Sequence, residues 1–324
     1  MPLPMKAFLL WTWLVVGTIS MAEDPPRAPA PDVNLGVSRE IEGAARPPPP
    51  AFLKPGRPLF SVSANLQYTP RSDVDENGRI EINRQGYSVG LAIPDKAGRM
   101  VGLAFDQEYS QYRFKNIDDE FLNDLFDDIS VSRMTLTYRW KVNEKWSAFA
   151  AADMTCSVES GADWEKGLTG GGIASFRRQV ATNFAYSVGL FLRKRLEEDP
   201  LGFPIPGIEW QITKRLGLRT AQGVTFDYAL DERKRWVMDL AGRYEGREFR
   251  LDKDGPISDG VVADRRVPVL LGAHFRPNPG MQFHLYGGWI AWQEYKTMDE
   301  DGNGLSVVKT DANLVGGASA SLRF

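Results

Sequence analysis

From Thr310 to Phe324 the side chains alternate with a period of two. Thr310, Ala312, Leu314, Gly316, Ala318, Ala320, Leu322 and Phe324 form one set, which is largely apolar. Asp311, Asn313, Val315, Gly317, Ser319, Ser321 and Arg323 form the other, which is largely polar. Successive side chains of a strand point to opposite faces, so the segment reads as a strand with one apolar and one polar face. Such a strand suits a sandwich, with its apolar face in a core, or a transmembrane barrel, with that face in lipid. The rest of the chain has to separate the two.

The same alternation recurs along the chain. Phe60, Val62, Ala64, Leu66 and Tyr68 alternate with small polar residues, as do Met134, Leu136, Tyr138 and Trp140 with Arg133, Thr135, Thr137 and Arg139. Phe184 to Leu192 and Trp236 to Tyr244 repeat it. Many dyad segments of about ten residues, split by turns, are the signature of a transmembrane barrel. The connectors fall into two classes. Residues 95–98, 143–145, 179–182, 214–215, 231–234 and 277–280 are short; residues 70–82, 115–128, 158–167, 196–205, 252–264 and 298–308 are long and polar. Short turns on the periplasmic side and long loops outside fit that contrast. The short connectors at 214–215 and 231–234 follow one another. The chain between them must then rise and return as two short strands, Leu216–Thr220 and Val224–Leu230. The expected fold is all-β, a single antiparallel transmembrane β-barrel of about fourteen strands, with a twelve-strand barrel as the alternative.

Residues 1–22 read as a signal peptide. Lys6 supplies the positive start, Ala7 to Val16 the apolar run, and Ser20-Met21-Ala22 the small residues of a cleavage site. Residues 23–57, with Pro47 to Pro50, read as an extended and largely disordered periplasmic leader, and residues 58–324 as the barrel. The formal charge of −3 is too small to point to a nucleic-acid partner. The lone Cys156 excludes an internal disulfide.

The signal, the dyad strands and the ending Ala318-Ser319-Ala320-Ser321-Leu322-Arg323-Phe324 together resemble an uncharacterised family of bacterial outer-membrane β-barrels, porin-like domains of unknown function. The strand entry Pro204-Ile205-Pro206-Gly207 resembles a recurrent feature of such barrels. The resemblance implies location in the outer membrane of a Gram-negative-type bacterium and contact with outer-membrane lipid. It also implies a C-terminal assembly signal, Leu322 and Phe324, read by the barrel-assembly machinery. It carries over no catalytic residues.

If the apolar face meets lipid, the polar face lines the lumen. Charges cannot face hydrocarbon cheaply, which places Arg133, Arg139, Arg177, Arg193, Arg219, Arg243 and Arg247 inward, with Asp227, Asp239 and Glu245. Such a face suits a water-filled pore for small polar solutes or a ladder of ion pairs that closes a narrow lumen. His274 and His284 flank the 277–280 turn and should face each other inside. Two imidazoles without an evident third ligand give no metal site, and no cofactor is implied. The run Asp299-Glu300-Asp301-Gly302-Asn303-Gly304 resembles the start of a calcium loop but lacks its distal Glu and flanking helices. Both histidines lie at the periplasmic end, away from the outer rim where barrel enzymes work, so no enzymatic activity is expected. The expected function is a passive channel or transporter; the alternative is a non-conducting barrel that binds a partner through its loops.

Overall fold

The computed structural model describes residues 57–74, 78–95, 97–115, 126–220 and 223–324. The signal peptide, nearly all of the leader and most of the 115–128 connector lie outside the described residues. One sheet holds sixteen strand segments. They are β1 (Leu59–Val74), β2 (Gly78–Pro94), β3 (Met100–Lys115), β4 (Asp128–Lys141), β5 (Trp146–Glu159), β6 (Leu168–Ala181), β7 (Phe184–Arg193) and β8 (Leu201–Gln211), followed by β9 (Leu216–Thr220), β10 (Val224–Ala229), β11 (Trp236–Gly242), β12 (Glu245–Arg250), β13 (Val261–Asn278), β14 (Met281–Met298), β15 (Gly304–Thr310) and β16 (Asn313–Arg323). Both β11 and β12 pair with β13, and both β15 and β16 pair with β14, so each couple is one stave with a local break. The result is a closed antiparallel barrel of fourteen staves. β16 closes it on β1, from Ser61 opposite Arg323 to Tyr68 opposite Gly316.

The outward face is apolar. Leu285, Trp289, Leu66, Phe176 and Leu314 are all more than half exposed. A soluble sheet would bury this face; a barrel in a bilayer turns it to lipid. The inward face carries the charges. The short turns are self-contained: the Asp95 carboxylate accepts from the backbone N–H of Ala97 and Arg99 at 2.9 and 2.8 Å and from the Arg99 side chain at 2.5 Å. These bonds hold its carboxyl below the ordinary aspartate range, the Arg99 side chain being the largest cause.

At the loop end the pattern inverts. Val74, Ile80, Ile82, Tyr112, Phe126, Ile129, Phe249, Val262, Tyr295 and Val308 pack together inside the barrel. The side chains of β1 change face at an irregularity between Thr69 and Ser72, which turns Val74 inward. The 70–82 connector expected from sequence is therefore mostly strand, since β1 runs to Val74 and β2 begins at Gly78. The 252–264 and 298–308 connectors are shortened in the same way, by β13 from Val261 and β15 from Gly304. Beyond the lipid belt the outer face is free to be polar, and the apolar residues move inside to form a core.

This outer part is also narrower. At its top β5 leaves β6 and meets β12, with Val158 opposite Arg250 in a parallel pairing. Staves β1–β5 and β12–β15 thus form an upper ring from which β6–β10 are left out. The segment between β7 and β8 crosses the outside of that ring, where Leu196 packs on Val261, Ala263 and Met298.

Candidate functional site

The inward-facing charges meet both between adjacent staves and across the interior. Arg177 donates to Glu209 at 3.0 Å, Arg193 to Asp153 at 3.0 Å and Arg219 to Asp227 at 2.7 Å. Arg133 lies opposite Asp106 and donates to Thr155 at 2.9 Å; Thr155 in turn donates to Asp153 at 3.1 Å. Arg139 lies over the ring of Phe149. Glu245 accepts from Arg243 at 2.7 Å and from Arg266 at 2.6 Å, and Arg247 is paired with Glu108. Sequence reasoning placed Arg133, Arg139, Arg177, Arg193, Arg219, Arg243, Arg247, Asp227, Asp239 and Glu245 on one face, but it missed several of their partners. Arg84, Asp264 and Arg266 lie in stretches where the clean alternation fails. Arg84 and Asp264 form a pair at 2.6 Å, each 1% exposed, and Tyr112 and Gln293 also bond Asp264.

The pairs are not equally dry. Arg84 of β2, Asp264 and Arg266 of β13 and Glu245 of β12 are 1–2% exposed. Along β6–β9 Arg177, Glu209, Arg193 and Arg219 are 20–33% exposed, although Asp153 and Asp227, which pair with the last two, are 3% and 9% exposed. One side of the interior is filled, and the other is reached by water.

His274 and His284 face each other on β13 and β14, and their rings stack at 3.8 Å. Asp239 of β11 completes the group: its Oδ1 lies 2.8 Å from Nε2 of His274 and 3.4 Å from Nε2 of His284. The third ligand that sequence reasoning did not find is thus present. All three side chains are buried, and a potential ligand atom from each lies within 4.8 Å of the others. Gly272 makes the approach possible, because a Cβ there would collide with His284 and Asp239. Among the described residues this is the one group of three or more His, Cys, Asp or Glu side chains close enough to hold a metal ion. Within the group His274 bonds Asp239 and meets Gln282 at 3.2 Å, whereas neither ring nitrogen of His284 has a hydrogen-bond partner among the described residues.

The acidic turn at 299–303 is occupied by its own backbone. Asp299 accepts from the N–H of Asp301 and Asn303 and from the Asn303 side chain at 2.8–3.0 Å. The Asn303 contacts draw its carboxyl below the ordinary range.

Residues 61–312 match the model of a family described as a domain of unknown function, DUF6268. The chain belongs to this family. The DUF6268 barrel matches no curated protein in sequence. Among solved structures it is similar to the COG4313 outer-membrane channel from Pseudomonas putida F1, with 9% identity, a TM-score of 0.45, and 84% of this chain and 97% of that chain covered. It is also similar to the P. putida toluene transporter TodX, with 9% identity, a TM-score of 0.42, and 84% and 91% covered. A third is a Pseudomonas aeruginosa FadL homologue, with 12% identity, a TM-score of 0.44, and 82% and 89% covered.

Proposed function

We propose that this DUF6268 barrel sits in the outer membrane of a Gram-negative-type bacterium and passes small polar solutes through its lumen. The observation that carries this reading is the uneven filling of the interior. The Arg84–Asp264 and Arg266–Glu245 pairs are dry and structural, whereas Arg177, Glu209, Arg193 and Arg219 on β6–β9 keep a fifth to a third of their side-chain surface open to water. A charged, water-reached wall lowers the cost of carrying a polar solute through a low-dielectric slab. Arg177, Arg193 and Arg219 are permanently charged and each faces one carboxylate, so the net field along this wall is small.

The test is conductance of the purified protein in a planar bilayer. Stepwise openings are expected, with weak ion selectivity. Arg177→Ser leaves Glu209 without this arginine and should move the reversal potential in a salt gradient towards cation preference. A wild-type barrel that never conducts would leave the partner-binding scaffold as the better reading.

A further inference from the structure

The Pro204-Ile205-Pro206 stretch of β8 lies at a break in the barrel wall. β8 pairs with β7 along its whole length, but with β9 only from Ile208 to Gln211. Its outer part, Leu201 to Gly207, has no strand on the other side among the described residues. Facing it across the gap is β12, which pairs with β13 and touches β5 only at Arg250. The lower end of the gap is the start of the β10–β11 pairing, where Val224 lies opposite Gly242 and Gly223 sits against Gly242 and Arg243. The lintel is the β7–β8 segment, where the side chain of Arg195 and the backbone N–H of Leu196 donate to Glu248 at 2.5 and 2.8 Å.

The backbone is built for an edge here. Ile208 sends its N–H towards β9, where it donates to Thr220 at 3.0 Å. Alternation along an antiparallel strand puts the backbone nitrogens of residues 206 and 204 on the same side. Both are proline, so neither carries a donor into the gap. Proline is tolerated in a sheet where no neighbour needs its N–H, and it blunts an edge against pairing with another chain. The opposite post is different. Arg243 donates to Pro268 of β13, so by alternation the N–H groups of Tyr244, Gly246 and Glu248 point into the gap. Backbone N–H groups without a strand partner need water or a passing polar atom.

The inner surface beside the gap carries an apolar row, with the Arg193 guanidinium over the Phe191 ring at 5.7 Å. Ile173, Phe191 and Phe203 lie in one row across β6, β7 and β8, with the two phenylalanine rings 5.2 Å apart. Phe203 is 42% exposed although it lies on the inward set of β8 with Glu209. The lipid-facing residues of β7 beside Pro204 and Pro206 are Leu190 and Val188, both about half exposed, which puts the β8 side of the gap at hydrocarbon depth.

From these observations we infer that the wall opens sideways between β8 and β12. This window lets uncharged, mainly apolar small molecules pass between the lumen and the bilayer, along the Ile173–Phe191–Phe203 ledge. The polar post of β12 receives one hydrogen-bonding group of such a molecule, and the ledge receives its apolar body. The inference rests on the outer-membrane reading given above but not on ion conduction.

The test uses the full chain expressed in the outer membrane of a Gram-negative host, with N-phenylnaphthylamine as probe. This uncharged fluorophore has one N–H and brightens when it enters a bilayer. Wild type should speed its entry over the host without the barrel. Phe191→Ser with Phe203→Ser should cut that gain by about tenfold, the scale set by losing one aromatic surface from the path. Gly246→Trp, on the opposite post, should do the same by obstruction and serves if the double variant fails to assemble. Wild-type rates in assembled variants, or no gain with wild type, would overturn the window. So would self-crosslinking of a Pro206→Cys variant made with Cys156→Ser, because the edge would then be covered by a second copy. A barrel that admits the probe but never conducts ions refutes the polar channel and leaves the window standing; the converse result does the reverse.

Discussion

Phe324 and Phe60 exchange two backbone hydrogen bonds, at 2.9 and 3.0 Å, and their rings stack with centroids 6.2 Å apart. The pair is the first rung of the seam where β16 meets β1. The seam is made last in sequence and closes an otherwise open sheet edge, which lipid does not tolerate. Deleting Phe324 removes this rung and the terminal aromatic together. We expect unassembled protein in the periplasm and loss of heat-modifiable migration on gels. A deletion variant that migrates normally would remove Phe324 from any role in closure.

The Arg84–Asp264 pair lies inside the upper ring, and both side chains are 1% exposed. Removing one partner strands the other charge in a dry interior. Asp264→Ala should cost about 3–5 kcal/mol, read as a lower urea midpoint for the folded barrel in detergent. Replacing both, Arg84→Met with Asp264→Leu, should recover much of that loss. No recovery would mean that the hydrogen bonds to Tyr112 and Gln293, rather than the charges, hold this layer.

Gly272 lies where Asp239 and His284 converge, and any side chain there must push them apart. Gly272→Ala should destabilise the barrel by about 1–3 kcal/mol, the usual cost of overpacking. Asp239→Ala removes one of the two obstacles, so the double variant should lose less than the sum of the single losses. Strict additivity in a double-mutant cycle would show that the steric conflict is relieved elsewhere.

Topology is open to cysteine labelling in a Cys156→Ser background. Ala97 and Asn278 are exposed in short turns, and Asp73 and Asp301 are exposed at the opposite end. On intact cells an impermeant thiol reagent should reach cysteine at Asp73 and Asp301 and spare Ala97 and Asn278. The opposite pattern would invert the barrel.

Fourteen staves were legible because lipid imposes one rule on every membrane-spanning strand, apolar outward and polar inward. That rule recovered even the short pair β9 and β10, from two successive short connectors. It misled above the membrane. There Arg71, Ser72, Asp73 and Glu81 read as loop, yet they lie in strands whose apolar residues, Val74, Ile80 and Ile82, have moved to the inside. Asp227 and Glu245 could be set on the same face as the arginines from sequence, but which charge meets which could not, because a pairing such as Arg193 with Asp153 depends on register between strands far apart in the chain. Asp239 was visible as an inward residue. That it reaches both histidines follows only from β11 lying beside β13 and from the bare backbone at Gly272.

The contact of Arg250 with Val158 gives the molecule two circumferences, and with them two cooperative units. The upper ring has its own apolar core and a buried ion pair, so its amides should open to solvent only with global unfolding. Staves β6–β10 have a water-reached interior and, among the described residues, one unpaired edge, so they should open locally at lower free energy. Hydrogen exchange would then divide the wall lengthwise, with a slow sector at β1–β4 and β12–β15 and a fast one at β6–β10. Sequence change that alters the passage should gather in the fast sector, where it can accumulate without loosening the half that holds the barrel together.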